Sequence, residues 1–333
     1  MIKFKTFKRI TAARAPGGSA ILFGLQENGE VCVTYEMADE KAWTPWDCTP
    51  WFAGSGGPRK IDDFVVSAQS NQCLRVWAID NEGQLWSVQQ SGLNERFKDW
   101  SRLELKWPRR VNRFPPMPPQ RLRRPAAAPD GGVHGARLWA IDTEHQLVTW
   151  CQQSPGGKLD SPGVVTNAAS ILPLYSDVAV IQHASGLEQV WSLDGGRLLS
   201  MWQMTAGGSG PGLSGWTGWS NPPVRWENAP PLVAIAACEQ SGGRGDAIWG
   251  VTLDHKLICD YQLSPGGEWS GWSKGNWLEA PPLTRLTATQ RSNGAVQLWG
   301  LTLNGGWIVT TRQEVAGGDW TPEWSAVVNM PPM

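Results

Sequence analysis

Residues 248–272 read IWGVTLDHKLICDYQLSPGGEWSGW. An apolar run ending on Trp249 is followed by a tight polar turn, a second apolar run, Gln262, a Gly-rich hairpin and two tryptophans. Apolar runs this short, punctuated by turn residues, are strands rather than helices. The pattern recurs along the chain as ILFGLQENGEV, RVWAIDNEGQL, RLWAIDTEHQL, QVWSLDGGRLL and QLWGLTLNGGW. The aromatic anchors are Phe23, Trp77, Trp139, Trp191, Trp249 and Trp299, at spacings of 54, 62, 52, 58 and 50 residues. Repeats of that size, each too thin to bury both faces of its own sheet, predict blades of a propeller.

Working outward from the anchor, each repeat is read as four short antiparallel strands. The first is small and aliphatic, as in ITAARA (10–15), FVVSAQ (64–69), VAVIQH (178–183), VAIAAC (233–238) and LTATQR (286–291). The fold class is therefore all-β: a six-bladed β-propeller of four-stranded antiparallel blades, forming one domain over 1–333. The repeats run over about 9–52, 61–105, 121–168, 174–223, 231–277 and 282–328, with a basic Pro-rich insertion at 106–120. A seventh blade stays open if the two ends of the chain build one together. The apolar/polar alternation of IKFKTF near the start is expected to add a strand beside SAVV in the last blade, hiding two sheet edges.

Three positions recur. Asp80, Asp142 and Asp194 follow their anchors by three residues, where a short acceptor side chain caps the turn backbone. His145 and His255 share a turn position with Gly29, Gly83 and Gly305 and are read as exposed turn residues. The third strand carries Glu36, Gln89, Gln152, Gln203, Gln262 and Gln313. These are expected to tie each blade to a neighbouring loop, since buried amides are normally paired; the alternative is a polar ring of ligand contacts. Tryptophan pairs then follow: Trp43 with Trp46, Trp216 with Trp219, Trp269 with Trp272 and Trp320 with Trp324. Repeat 2 keeps only Trp100, and repeat 3, reading SPGGKLDSPG, has none.

Composition excludes several function classes. A net charge of −1 gives no field for nucleic acid, and no stretch approaches the ~18 apolar residues of a membrane span. SPGG and AGGSG lack the strand–helix context of a phosphate loop. Cys32, Cys48, Cys73, Cys151, Cys238 and Cys259 are scattered without metal-ligand spacing, so they read as reduced thiols in strands. No metal and no cofactor is expected. The start, MIKFKTFKRI, has no secretory pattern, which predicts a cytoplasmic protein with release by a non-classical route left open. Homo-oligomerisation is also left open.

The combination L-W-A-I-D-x-x-x-x-L with Q-x-S-P-G-G-x-W-S-G-W resembles the Photorhabdus-type bacterial β-propeller lectins and, more distantly, tectonin-like propellers. The similarity touches all six repeats and is complete only in the fifth. The resemblance implies binding of fucose-like or O-methylated sugars between blades, with tryptophan stacked on the sugar. It carries over Trp219, Trp269, Trp272, Trp320 and Trp324 as ligand contacts. Lectins of that type have seven near-identical repeats, whereas six drifted ones are counted here.

The expected function is thus carbohydrate binding in Trp-lined clefts between blades, by Trp216, Trp219, Trp269, Trp272, Trp320, Trp324, Trp43 and Trp46, with a glycan or small molecule as partner. The C–H face of a pyranose packs on an indole while nearby polar groups fix its hydroxyls. Two other classes compete. A protein-recruiting scaffold would use the arginines of KWPRRVNRFPPMPPQRLRRP (106–125). An enzyme of specialised metabolism would need a site where repeats diverge, and the end of the first strand offers Ala15, Gln69, His183, Cys238 and Arg291. There His183 and Cys238 would form a nucleophile pair, with Gln69 and Arg291 beside them.

Overall fold

A computed structural model describes residues 6–327 except 16–17, 38–41, 49–56, 59, 70, 93–96, 105–120, 129–135, 153–156, 158, 161–162, 166–173, 184, 205–215, 218, 220–227, 274 and 304–306. The described residues form six antiparallel sheets, taken here as blades 1 to 6 in chain order. Blade 1 is β1 (Phe7–Arg14), β2 (Ala20–Gln26) and β3 (Val31–Tyr35). Blade 2 is β4 (Ile61–Ala68), β5 (Leu74–Asp80), β6 (Leu85–Gln89) and β7 (Ser101–Arg102). Blade 3 is β8 (Leu122–Ala128), β9 (Arg137–Asp142), β10 (Leu147–Cys151) and β11 (Gly163–Val165). Blade 4 is β12 (Tyr175–Gln182), β13 (Glu188–Asp194) and β14 (Arg197–Trp202). Blade 5 is β15 (Leu232–Glu239), β16 (Asp246–Thr252) and β17 (Leu257–Tyr261). Blade 6 is β18 (Leu283–Gln290), β19 (Val296–Thr302), β20 (Ile308–Arg312) and β21 (Ser325–Ala326).

The repeat pattern predicts a fourth strand in every blade. Blades 2, 3 and 6 have one, two or three residues long. In blade 1 the fourth strand shrinks to a bridge between Val33 and Asp47. The expected terminal closure lies partly outside the described residues; Phe7 belongs to β1, and β21 pairs with β20.

The strands follow from their patterning. β2, β5, β9 and β16 are buried along their whole length, apolar at their centres with buried polar residues such as Arg75, Arg137 and Asp246 near their starts, whereas the first strands mix buried and partly exposed positions. Every first strand also shifts register near its start, between Phe7 and Arg9, Ile61 and Asp63, Arg123 and Ala126, Tyr175 and Asp177, Leu232 and Ala234, and Leu283 and Arg285. Such bulges increase local twist. Beyond the anchor, Gly250 and Gly300 let a first-strand leucine close in: an added Cβ would meet Leu232 at 2.7 Å and Leu283 at 2.6 Å.

The chain forms two compact units, one carrying blades 1, 5 and 6, the other blades 2 and 3 and most of blade 4. Within each, the apolar core lies between blades. One cluster joins Trp249, Leu257 and Cys259 of blade 5 to Leu283, Leu286 and Leu298 of blade 6. Another joins Trp299 and Ile308 of blade 6 to Phe7 and Leu22 of blade 1. In the second unit, Trp77 of blade 2 packs with Leu138 and Trp150 of blade 3, and Trp139 of blade 3 with Val190 and Leu199 of blade 4. A blade is completed by its neighbour, which is why the repeat cannot stand alone.

The reading of all six cysteines as reduced thiols needs correction. Cys32 and Cys48 form a disulfide, with Cα atoms 4.2 Å apart, because the third strand and the returning chain of blade 1 lie side by side. The other four cysteines are outside any disulfide and buried.

Candidate functional site

The recurring third-strand amide is structural in all six blades. Its side-chain oxygen accepts the backbone N–H that opens the second strand: Ala20 to Glu36, Leu74 to Gln90, Ala136 to Gln152, Glu188 to Gln203, Asp246 to Gln262 and Val296 to Gln313, at 2.8–3.2 Å. In blade 2 the position belongs to Gln90, not Gln89; the doubled glutamine hides the register, and Gln89 still pairs with Arg75 inside the sheet. In blades 6 and 1 the far end of the side chain reaches the preceding blade, whereas the Gln152 amide donates to Gly157 O of its own hairpin. Gln313 Nε2 donates to Gln240 Oε1 of blade 5 at 2.9 Å, and Glu36 accepts from Arg291 of blade 6 at 3.1 Å.

Two of the three turn aspartates cap as expected: Asp80 accepts from the N–H groups of Glu82 and Gln84, and Asp142 from those of Glu144 and Gln146, whereas Asp194 accepts from the N–H of Leu174 ahead of its own blade's first strand. His145 and His255 do hold positive φ, 61° and 63°. They are half-buried rather than exposed, because each ring sits against the next blade's first strand, at Tyr175 O and Leu283 O.

The tryptophan pairs divide by role. The first member crosses edge-on to the anchor of the preceding blade: Trp43 to Trp299, Trp216 to Trp139 and Trp320 to Trp249, with ring centroids 6.1, 5.3 and 5.7 Å apart. Trp216 and Trp46 are buried, the latter against Phe7 at 4.7 Å, so the core occupies the faces expected to meet a ligand. Trp219 lies against Tyr175 at 5.7 Å. Trp43, Trp219, Trp269, Trp272, Trp320 and Trp324 stay partly exposed.

Two partly exposed indoles, Trp277 and Trp320, meet between blades 5 and 6, and a third, Trp324, packs on the same cluster. Trp320 and Trp324 of blade 6 and Trp277 of blade 5 all pack on the cluster around the fully buried Trp249. Trp277 lies 5.0 Å from Trp320 and 6.4 Å from Trp249. Sequence reasoning misses Trp277 because it falls after the repeated hairpin, in the connector. A 3-10 turn, Trp277–Glu279, places it, with Leu278 and Glu279 at φ of 50° and 47°. Two successive non-glycine residues in the left-handed region cost about 1–3 kcal/mol each, and such strain gathers at binding sites. The turn is braced by Asn276, whose amide donates to Ala280 O and accepts from Leu257 N.

A second site, also missed, centres on Arg75 of blade 2. It is 8% exposed, stands 4.3 Å over the Trp77 ring and donates from Nη2 to Ser87 Oγ at 2.9 Å. Its Nε and Nη1 are buried with no hydrogen-bond partner, and burial pulls its pKa down to about 10. The position two before the anchor holds Ile21, Arg75, Arg137, Gln189, Ala247 and Gln297 across the repeats, and the charge at Arg75 is the signal that the sequence offers.

The residues expected to serve catalysis are each described within their own blade. Backbone turn bonds place Ala15, Gln69, His183, Gln240 and Arg291 at one station, each N–H donating to the residue four or five further on. Cys238 does not share that column; it lies two residues earlier, inside β15, because blade 5 has a longer turn. It is buried in the apolar cluster, and that burial, with Glu239 and Asp246 nearby, pushes its thiol far above the usual range. A thiol held protonated is no nucleophile. Arg291 is committed to Glu36, and Gln69 is buried beside Ser67. Among the described residues no cluster of His, Cys, Asp and Glu could hold a metal. Among them, too, no helix is long and apolar enough to cross a membrane. The basic insertion at 106–120 lies outside the described residues. Of its flank, Arg124 is held by Asp63 and Arg123 by the His145 ring.

No family model and no curated protein sequence matches the chain. Solved structures do. Aleuria aurantia lectin, described as a six-bladed β-propeller with a novel fucose recognition mode, superimposes with a TM-score of 0.61 at 11% identity, over 100% of this chain and 99% of that one. The BP39L lectin of Burkholderia pseudomallei gives 0.64 at 16%, over 96% and 86%. AofleA of Arthrobotrys oligospora gives 0.61 at 13%, over 98% and 87%. With six anchored sheets and these likenesses together, the chain has the six-bladed β-propeller fold.

Proposed function

We propose that this protein binds carbohydrate in the cleft between blades 5 and 6. The observation that carries the reading is the meeting of Trp277 and Trp320 over Trp249, with Trp277 held there by a strained turn and Trp324 on the same cluster. Indole faces of this kind accept the C–H face of a pyranose. The shared fold adds support, since Aleuria aurantia lectin is described as recognising fucose. Fucose-like or O-methylated sugars are the finer reading, consistent with the resemblance of blade 5 to Photorhabdus-type lectins. The Cys32–Cys48 disulfide fits a protein that works in an oxidising environment rather than one retained in reducing cytoplasm.

The test is a glycan array with the wild-type protein and with Trp277→Ala, which removes a partly exposed ring outside every sheet. Selective binding lost in the variant supports the reading. Unchanged binding moves the site elsewhere, and a blank array from folded wild type refutes glycan recognition.

A further inference from the structure

The buried ion pair between blades 3 and 4 shows what Arg75 lacks. Arg137 Nε lies 3.1 Å from Glu188 Oε2, both side chains less than a tenth exposed. Arg137 directly follows Ala136, as Arg75 follows Leu74, and Leu74, Ala136 and Glu188 occupy one station, each donating its N–H to the blade's third-strand glutamine. An arginine at this position therefore faces that station on the next blade. For Arg137 the residue there is Glu188; for Arg75 it is Ala136, which packs in the same cluster as Trp77 beneath the Arg75 guanidinium.

The cover over the arginine is reduced as well. Arg137 has the Trp216 ring 5.5 Å away. Trp216 bridges to Gln203 as Leu159 bridges to Gln152, so blade 3 offers Arg75 a partly exposed leucine in place of an indole. A guanidinium does not deprotonate near neutral pH, and a buried charge without a counter-charge is costly. The cleft thus holds a positive charge and two buried donors without a hydrogen-bond partner, with an alanine where the neighbouring pair of blades has a carboxylate.

We propose that the cleft between blades 2 and 3 binds an acidic sugar, whose carboxylate takes against Arg75 the place Glu188 takes against Arg137. This rests on the glycan-binding reading above but concerns a different cleft and a charged ligand class. Charge-assisted bonds to such a carboxylate set the specificity.

The experiment is calorimetric titration of the full chain with methyl β-D-glucuronide, methyl β-D-glucoside and sodium acetate. The glucuronide is expected to bind at least tenfold more tightly than either, a ratio matching about one charged hydrogen bond. A glucoside of equal affinity overturns the carboxylate assignment; acetate of equal affinity reduces the site to small anions and overturns the sugar. Ala136→Glu supplies an internal partner, so it should abolish glucuronide binding and raise the unfolding midpoint of the free protein. Retained affinity in Ala136→Glu overturns the proposal. Arg75→Gln gives a second route: the same loss is expected, and affinity that persists in it overturns the proposal equally. Neutral-glycan binding through Trp277 is read separately on the array, so failure of the glucuronide alone leaves that reading standing.

Discussion

Replacing Glu36 by Gln isolates one buried charge. The backbone bond from Ala20 to Glu36 has a glutamine counterpart in each of the other five blades, so the variant keeps that bond and loses the charge together with the oxygen that accepts from Arg291. Glu36 and Arg291 have side chains 2% and 4% exposed, 3.1 Å apart, with Arg312 at 3.9 Å and 29% exposed. Removing one partner of such a pair costs about 3–5 kcal/mol, because the other is left buried and charged. The same station one blade earlier holds the neutral pair Gln313–Gln240, which is the state that Glu36→Gln with Arg291→Gln recreates. The double variant should recover most of the loss, to within about 1 kcal/mol of wild type or above it, since neutral replacement of buried ion pairs is commonly neutral or stabilising. Urea unfolding followed by tryptophan fluorescence reads both values. A single variant as stable as wild type, or a double variant no better than the single, would refute the idea that the charge on Arg291 depends on Glu36.

Asp246, 1% exposed and opposite Glu239 in the blade 5 sheet, has its pKa pushed up to about 8, first by burial and then by Glu239. A raised folded pKa means stability that is full below the unfolded value of 3.8 and is lost as pH rises through about 8. Relative to Asp246→Asn, wild type should lose on the order of 5 kcal/mol over that window; a difference independent of pH would show that Asp246 is ionised throughout. Cys73, Cys151, Cys238 and Cys259 are buried, so iodoacetamide at about pH 8, near the ordinary thiol pKa, should label none in the native protein and all four in urea, counted by mass spectrometry. Labelling of native Cys238 would contradict its placement in the core. Reducing Cys32–Cys48, which closes a loop with a sequence separation of 16, should cost about 3 kcal/mol, read as a lower urea midpoint; an unchanged midpoint would mean the bond constrains nothing.

Much of the fold was legible because the blade is a local object. Anchors, turns and strand order are set by residues within about fifty of one another, and apolar periodicity reports them directly. The capping by Asp80 and Asp142 was readable for the same reason. First strands begin one to three residues earlier than their aliphatic cores suggest, at Phe7, Ile61, Tyr175, Leu232 and Leu283, because the bulge near each start interrupts the pattern.

The site was less legible. That Trp43, Trp216 and Trp320 serve the preceding blade while Trp277 joins the cleft from a connector depends on which surfaces two blades bring together, and no local pattern encodes that. The same holds for Arg137 meeting Glu188 while the equivalent station beside blade 2 carries Ala136: the residues concerned are about fifty to sixty apart, and only adjacent packing gives one arginine a counter-charge and leaves the other without one. The amino-acid sequence by itself determined six strand-rich repeats with buried aromatic anchors, since short-range patterning dictates a sheet. Tertiary structure decided which tryptophans and arginines face a cleft, because exposure and charge compensation are properties of neighbouring blades and not of the repeat.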